Sequence, residues 1–309
     1  MPEPRTFSYP SNDGVHTIHA QEWLPQGRPR AVIQIVHGVA EYIGRYDHVA
    51  QFLTGYGFLV CGEDHLGHGY TVTDGQYGYF AKQNGWSLVV EDIRRLCLLQ
   101  AEKYPGIPYF LLGHSMGSFL TRTYLCRWPG EVDGAILSGT GQEPAFLVWA
   151  GKALAGLLSA QRGPTYVSPL VNAMSLGAYN KKFAPNRTNA DWLSRDETVV
   201  DIYIRDHLCR FLPTCGMFRD MMDGLQEIAS PANLARMDKT TPVYFFSGDK
   251  DPVGSQGRGV KKVVGMFRRA GCRDVSLKLY PEGRHEMFNE INQQEVLEDL
   301  LAWLESKLL

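Results

Sequence analysis

Short apolar runs recur along the chain, and most are apolar at every position rather than at every second one. Ala31–Val36, Phe58–Cys61, Tyr109–Leu112, Gly134–Leu137, Pro242–Phe246 and Val275–Tyr280 have this character. A strand covered on both faces has no polar side, so such runs predict parallel strands held between two helical layers. Longer stretches with apolar residues at helical spacing separate them. Arg45–Gly55 places Tyr46, Val49, Phe52 and Leu53 on one face, with Gly55 where a helix would stop. Trp86–Tyr104 and Ser115–Trp128 end against Pro105 and Pro129, and Val260–Ala270 and Glu295–Leu308 close the chain. This alternation predicts an α/β architecture: a mostly parallel central sheet flanked by helices, with right-handed crossovers.

The rhythm breaks from about Gln142 to Asn233. An apolar helical stretch, Pro144–Leu158, is followed by a Pro-, Asn- and Arg-rich one, Arg162–Arg187, and then by Phe211–Leu225. None is a strand-like run of comparable quality. The expected organisation is a core of residues 1–141 and 234–309 with a mainly helical cap, 142–233, inserted between two sheet strands. Such a cap would sit at the carboxyl edge of the sheet, where open α/β folds bind ligands.

Composition narrows the function classes. Of 309 residues, 44% are hydrophobic and 21% charged, which excludes disorder over most of the chain. The net charge of −2 gives no footprint for nucleic acid. Met1–Tyr9 has no apolar core of a secretory signal, and the longest apolar stretch, Ala145–Leu158, is interrupted by Gly151, Lys152 and Gly156. Cys61, Cys97, Cys126, Cys209, Cys215 and Cys272 are scattered with no paired spacing, so they read as reduced thiols of a cytoplasmic protein.

The chemistry concentrates in three places. Gly113-His-Ser115-Met-Gly117 follows an apolar strand and opens a helical pattern, the setting of a nucleophile elbow. There a sharp turn exposes Ser115 above the sheet at the positive end of a helix dipole. A serine needs a base. His285 follows the Val275–Tyr280 run through a Gly-containing loop, at the same edge. Asp251 lies just beyond Pro242–Phe246 and would fix the imidazole tautomer, in preference to Asp249, which would serve the turn. The backbone N–H groups of Met116 and Val39 are the expected oxyanion donors, with Gly38 allowing the tight turn and His37 a structural loop residue. Asp64-His-Leu-Gly-His68-Gly69 matches no common zinc spacing and reads as a tight turn, so no metal is expected.

His37-Gly-Val-Ala-Glu41-Tyr-Ile-Gly-Arg45-Tyr46, Asp64–Gly69, Gly113–Gly117, Gly248-Asp-Lys-Asp251 and Glu282-Gly-Arg-His285 stand in the order found in the monoacylglycerol lipase/lysophospholipase-like family of α/β-hydrolases, which the chain resembles from roughly Ile33 to its end. The segment Leu193–Tyr203 is similar to that family's cap. The resemblance implies an α/β-hydrolase fold, the triad Ser115, Asp251 and His285, and the donors Val39 and Met116. It also implies a polar pocket end formed by Glu41, Arg45 and Tyr203. Phe288 and Gly254 stand where glycerol-binding members carry histidine and cysteine, which makes Phe288 a candidate substrate contact. Phe146, Leu147, Trp149, Leu154, Leu157 and Leu158 of the cap would suit an acyl chain, a membrane surface or packing against the core.

The expected activity is serine-dependent hydrolysis of a lipid-like or small carboxylic ester, with no cofactor. The alternatives are an aminopeptidase of the prolyl-aminopeptidase type, with Glu41, Asp196, Glu197 or Asp201 receiving the substrate amine, a slow-turnover ligand-binding protein on the same fold, and an acyltransferase. Fold alone does not choose among them.

Overall fold

The computed structural model describes residues 3–308. The chain opens with an antiparallel hairpin, β1 (Arg5–Pro10) and β2 (Thr17–Trp23), before β3 (Val32–Val36), α1 (Asp47–Gly55) and β4 (Leu59–Glu63). The units α2 (Gly85–Lys103), β5 (Tyr109–His114), α3 (Met116–Arg127) and β6 (Gly134–Ser138) follow. Six helices come next: α4 (Ala145–Arg162), α5 (Pro169–Met174), α6 (Leu176–Asn180), α7 (Glu197–Arg205), α8 (Cys215–Ala229) and α9 (Pro231–Arg236). The sheet resumes with β7 (Val243–Gly248), α10 (Arg258–Arg269), β8 (Val275–Tyr280) and α11 (Gln293–Ser306). The strand order is β1-β2-β4-β3-β5-β6-β7-β8, and every neighbour from β4 to β8 is parallel. This is the α/β-hydrolase architecture.

The continuously apolar runs are explained by the two layers they serve. Val32 and Val36, Tyr109 and Leu111, Ala135 and Leu137, and Val243 and Phe245 face the layer that holds α2, α3, α8 and α10. Their alternates Ile33 and Ile35, Phe110 and Leu112, Ile136, Tyr244 and Phe246 face α1 and α11. Both faces of each strand are dry, so neither carries a polar period.

The first two strands are absent from the apolar pattern. The edge strand β1 is mostly exposed, and β2 buries Gln21 and Glu22. The Glu22 carboxylate is matched from another element: Lys103 Nζ donates to it at 2.7 and 2.8 Å and Gln100 Nε2 at 3.1 Å. A buried polar strand is tolerated because its partners arrive from α2, which the local sequence does not announce.

A second polar cluster ties the hairpin to the sheet. Tyr9 Oη donates to Glu63 at the end of β4 and to the Asp92 carbonyl, while the Asp92 carboxylate accepts from Ser11 and Asn12. Burial pushes the Glu63 carboxyl up to about 8, and burial together with the nearby Glu63 pushes Asp92 up to about 7. Both groups bind a proton more tightly in the folded chain than in the unfolded one. Their stabilisation is complete below the ordinary carboxyl range and is lost as pH rises through 7 and 8, by an amount on the order of a few kcal/mol. The denaturation midpoint should therefore fall between pH 5.5 and 9, and Glu63→Gln should flatten that fall; equal slopes for the two proteins in urea titrations would refute the assignment.

Candidate active site

The turn from β5 into α3 is built from crowding. Ser115 has φ +53° and ψ −120°, a left-handed conformation that costs a non-glycine residue energy. Its backbone is pinned from both sides: Ser115 N–H donates to the Ser138 carbonyl at 2.9 Å, and its own carbonyl accepts from Ser118 N–H at 2.9 Å and Ser118 Oγ at 2.6 Å. Gly117 has no room for a side chain, since a Cβ there would lie 1.8 Å from the Val36 carbonyl oxygen. A Cβ on Gly113 would come within 2.5 Å of the Gly117 oxygen.

The loop after β8 carries His285, whose Nδ1 lies 3.0 Å from Asp251 Oδ1. Asp251 follows β7 and is fully buried; its Oδ1 also accepts from Val253 N–H at 2.9 Å and its Oδ2 from Ser247 Oγ at 3.0 Å. Burial opposes the Asp251 charge, but the adjacent imidazole and these donors outweigh it and hold the carboxyl below its usual range. Burial likewise opposes charge on His285, and Asp251 outweighs it, so the imidazole is raised above its ordinary value. Neighbouring His114 is pushed down to about 3 by burial and by His285. His285 is therefore the imidazole at this edge that holds a proton readily.

Ser115 and His285 line one narrow cleft together with Gly38, Val39, Glu41, Trp192 and Tyr203. The β3 loop presses against the serine: a Cβ on Gly38 would lie 3.0 Å from Ser115 Cβ. Glu41 Oε1 accepts from Gly38 N–H and from Tyr46 Oη, which fastens this loop. Among the described residues, neither the Val39 nor the Met116 N–H has a backbone acceptor. His37 is buried and stacks on His65 at 4.0 Å, and its Nε2 accepts from His65 N–H at 3.1 Å. The rings of His65 and His68 are likewise buried against backbone and neighbouring rings, and burial pushes them down to about 4 and 3.

The remaining candidates separate. Glu41 and Tyr203 reach the cleft. Arg45 stands behind them, bidentate to Glu286 at 2.7 and 2.7 Å, bonded to Glu41 at 2.9 Å and 5.0 Å from the Tyr203 ring centre. It is committed to those partners rather than free for a ligand. Phe288 is not brought to the cleft: it is buried against Phe246, ring centres 5.2 Å apart, in the layer of α1 and α11. A one-turn 3₁₀ segment, Met287–Asn289, follows His285 and aims residue 288 inward, which local spacing does not reveal. Glu286, Trp192 and Ser247 were not legible as site residues. Adjacency of Glu286 to His285 is a faint signal, but its value lies in the distant Arg45.

Beyond Val39 the cleft meets a larger apolar cavity of about 400 Å³ between α4, α5, α6 and α8, lined by residues such as Leu147, Leu154, Val171, Phe218, Met222 and Leu225. The apolar residues of α4 divide accordingly: Leu147 and Leu154 face the cavity, whereas Phe146 and Trp149 are 69% and 67% exposed. Asp196 caps α7 and Asp201 pairs with Arg187 on the surface, so neither faces the serine.

A strained serine turn at the carboxyl edge of a mostly parallel sheet, with a carboxylate-bound histidine lining the same cleft, is the arrangement of the α/β-hydrolase fold. The comparisons give the family. The model described as serine aminopeptidase, S33, matches residues 27–292. A monoacylglycerol lipase of Mycolicibacterium smegmatis is 34% identical over 97% of both chains, and the human monoglyceride lipase is 26% identical over 97% of this chain and 93% of that protein. Among solved structures, a thermostable carboxyl esterase of Bacillus coagulans in complex with glycerol superposes with a TM-score of 0.92 at 27% identity, covering 100% of both chains. The chain belongs to this serine aminopeptidase, S33 family, in its monoacylglycerol lipase-like branch, and is a carboxylic ester hydrolase. The peptidase alternative is not favoured, because the full-length relatives are lipases.

Gly117→Ala should destabilise the fold by about 3 kcal/mol or more, since the added methyl meets backbone rather than a movable side chain. Guanidinium denaturation of the variant checks this; a loss below about 1 kcal/mol would mean the turn is less crowded than described.

Proposed function

We propose that the protein hydrolyses esters of medium or long acyl chains with a small neutral alcohol, of the monoacylglycerol type, through an acyl-enzyme on Ser115. The observation that carries this reading is the His285–Asp251 pair beside the strained Ser115, in a cleft that shares Val39 and Leu176 with an apolar cavity of about 400 Å³. Ser115 Oγ attacks the ester carbonyl while His285 Nε2 takes its proton and Asp251 stabilises the imidazolium. The carbonyl oxygen, now an oxyanion, is met by the Val39 and Met116 N–H groups. Collapse breaks the ester C–O bond, and His285 returns the proton to the departing alcohol. Water then attacks the acyl-enzyme, giving its proton to His285, and Ser115 regains one as the fatty acid leaves.

The acyl chain occupies the apolar cavity, and residues 142–233 enclose it, with α4–α7 as the cap proper and α8 packed on α2 and α3 in the layer that flanks the sheet. The alcohol lies in the cleft beside Glu41, Glu286 and Tyr203. Two carboxylates share one guanidinium there, so Arg45 is occupied and the cleft offers no free cation to a phosphate. That favours a neutral glycerol-like head group over a lysophospholipid. The exposed face of α4, with Phe146, Trp149 and Leu157, suits transient contact with a lipid surface. No helix among the described residues is long and apolar enough to cross a membrane. All six cysteines are unpaired and buried, which fits a reducing, cytoplasmic setting.

The test is an initial-rate panel of p-nitrophenyl esters from acetate to palmitate, with monoacylglycerol, lysophosphatidylcholine and an aminoacyl-nitroanilide. Rates should peak at medium or long chains and prefer the glycerol head group. Ser115→Ala should lower kcat by about four orders of magnitude or more; a variant that keeps kcat within about tenfold of the wild type would sink the proposal. Leu154→Trp should move the optimum to shorter acyl chains. Activity should rise with pH as His285 deprotonates, with a midpoint above the ordinary imidazole value of about 6.5.

A further inference from the structure

The segment between α6 and α7 is bolted to the loop that carries His285. Arg284 Nη1 donates to the carbonyls of Asp191 and Ser194, His285 N–H to that of Trp192 at 3.4 Å, and Glu286 N–H to that of Leu193 at 2.8 Å. Ser194 Oγ donates to the Asn289 carbonyl at 2.8 Å, and Arg195 Nε to the Glu290 carboxylate at 2.8 Å. This strap lays the Trp192 indole on the imidazole: the ring centres of Trp192 and His285 are 4.9 Å apart at an interplanar angle of 33°. The Tyr179 ring centre lies 5.1 Å from that of the indole, and the backbone N–H of Trp192 donates to Asn180 Oδ1 at 3.0 Å.

We infer that Trp192 is a positioning residue for the reaction: it fixes the plane of His285 and stabilises the imidazolium that forms in each proton transfer. This rests on the triad reading above. An indole face attracts a cation more strongly than the other aromatic faces do, and the attraction grows when water is excluded. The neutral imidazole gains packing alone from the same contact, so the stabilisation favours the charged state reached during reaction. The other titratable or charged groups facing His285 are Asp251 from the β7 loop, His114 from β5, Glu41 from the β3 loop and its neighbour Glu286, with Arg45 shared between the two glutamates. From the strap, Trp192 contributes an uncharged ring. A change at Trp192 alone therefore leaves every charge around the imidazole in place.

The experiment compares the wild type with Trp192→Phe and Trp192→Leu. The imidazole titration of His285 is followed by NMR, and kcat/KM for p-nitrophenyl butyrate is measured against pH. Trp192→Leu should lower the His285 pKa and the acid limb of the rate profile together by about half to one unit, and reduce kcat/KM about threefold to tenfold. Trp192→Phe, which keeps a π face, should recover most of both. If the leucine variant does not fold, Trp192→Met supplies an unbranched side chain without a π face. An unchanged His285 titration in the leucine or methionine variant overturns the inference, as does a phenylalanine variant that behaves like leucine. Absent ester turnover in the wild type, with the NMR shift still present, would instead count against the triad reading.

Discussion

The site depends on one steric constraint, the near-contact of β3, β5 and the first turn of α3. Gly117 lies against the Val36 carbonyl, Gly113 against Gly117, and Gly38 against Ser115. With no side chain allowed at these positions, the chain after β5 turns so sharply that Ser115 takes a left-handed backbone. The hydrogen bond from Ser115 N–H to Ser138 on the neighbouring strand holds it there. The same crowding brings the β3 loop and the start of α3 together at Ser115, where, among the described residues, neither the Val39 nor the Met116 N–H has a backbone acceptor. The positions of Ser115 and of these two N–H groups are thus set together by backbone packing.

Charge at this edge is arranged in two buried units. Asp251 and His285 form the first, with Val253 and Ser247 satisfying the carboxylate. Glu41, Arg45 and Glu286 form the second, which joins the β3 loop, the entrance to α1 and the histidine loop. Isolated, any of these ions would be costly to bury; paired and hydrogen-bonded, they are tolerated and rigid. The second unit ties the β3 loop and the histidine loop together.

The helices between β6 and β7 contribute in two ways. Helices α4, α5, α6 and α8 enclose apolar space, while the strap of residues 190–195 is tied to the histidine loop by backbone and side-chain bonds. One part of the insertion lines the cavity and another part braces His285. The insertion is therefore no detachable cover: its strap is bonded to the histidine loop.

The amino-acid order alone carried the parallel strands β3–β8, the helices between them and the interruption after β6, and it singled out Ser115, Asp251 and His285, of which the structure pairs the last two and sets Ser115 in the same cleft as His285. These features are local: a two-sided apolar run, a helical period, a glycine-flanked serine, or a histidine just past a strand. The hairpin β1–β2 escaped because Glu22 is buried with Lys103 and Gln100 for partners, and those lie on α2. Phe288 was misplaced because the 3₁₀ turn after His285 aims it into the core. Arg45 was legible, but its commitment to Glu286 was not, and Trp192 gave no sign of its imidazole. Each of these is a contact between elements far apart in the chain. Periodicity and motif report how a segment treats its own two faces; which distant side chain satisfies a buried charge or covers a reactive ring is decided only when the layers pack.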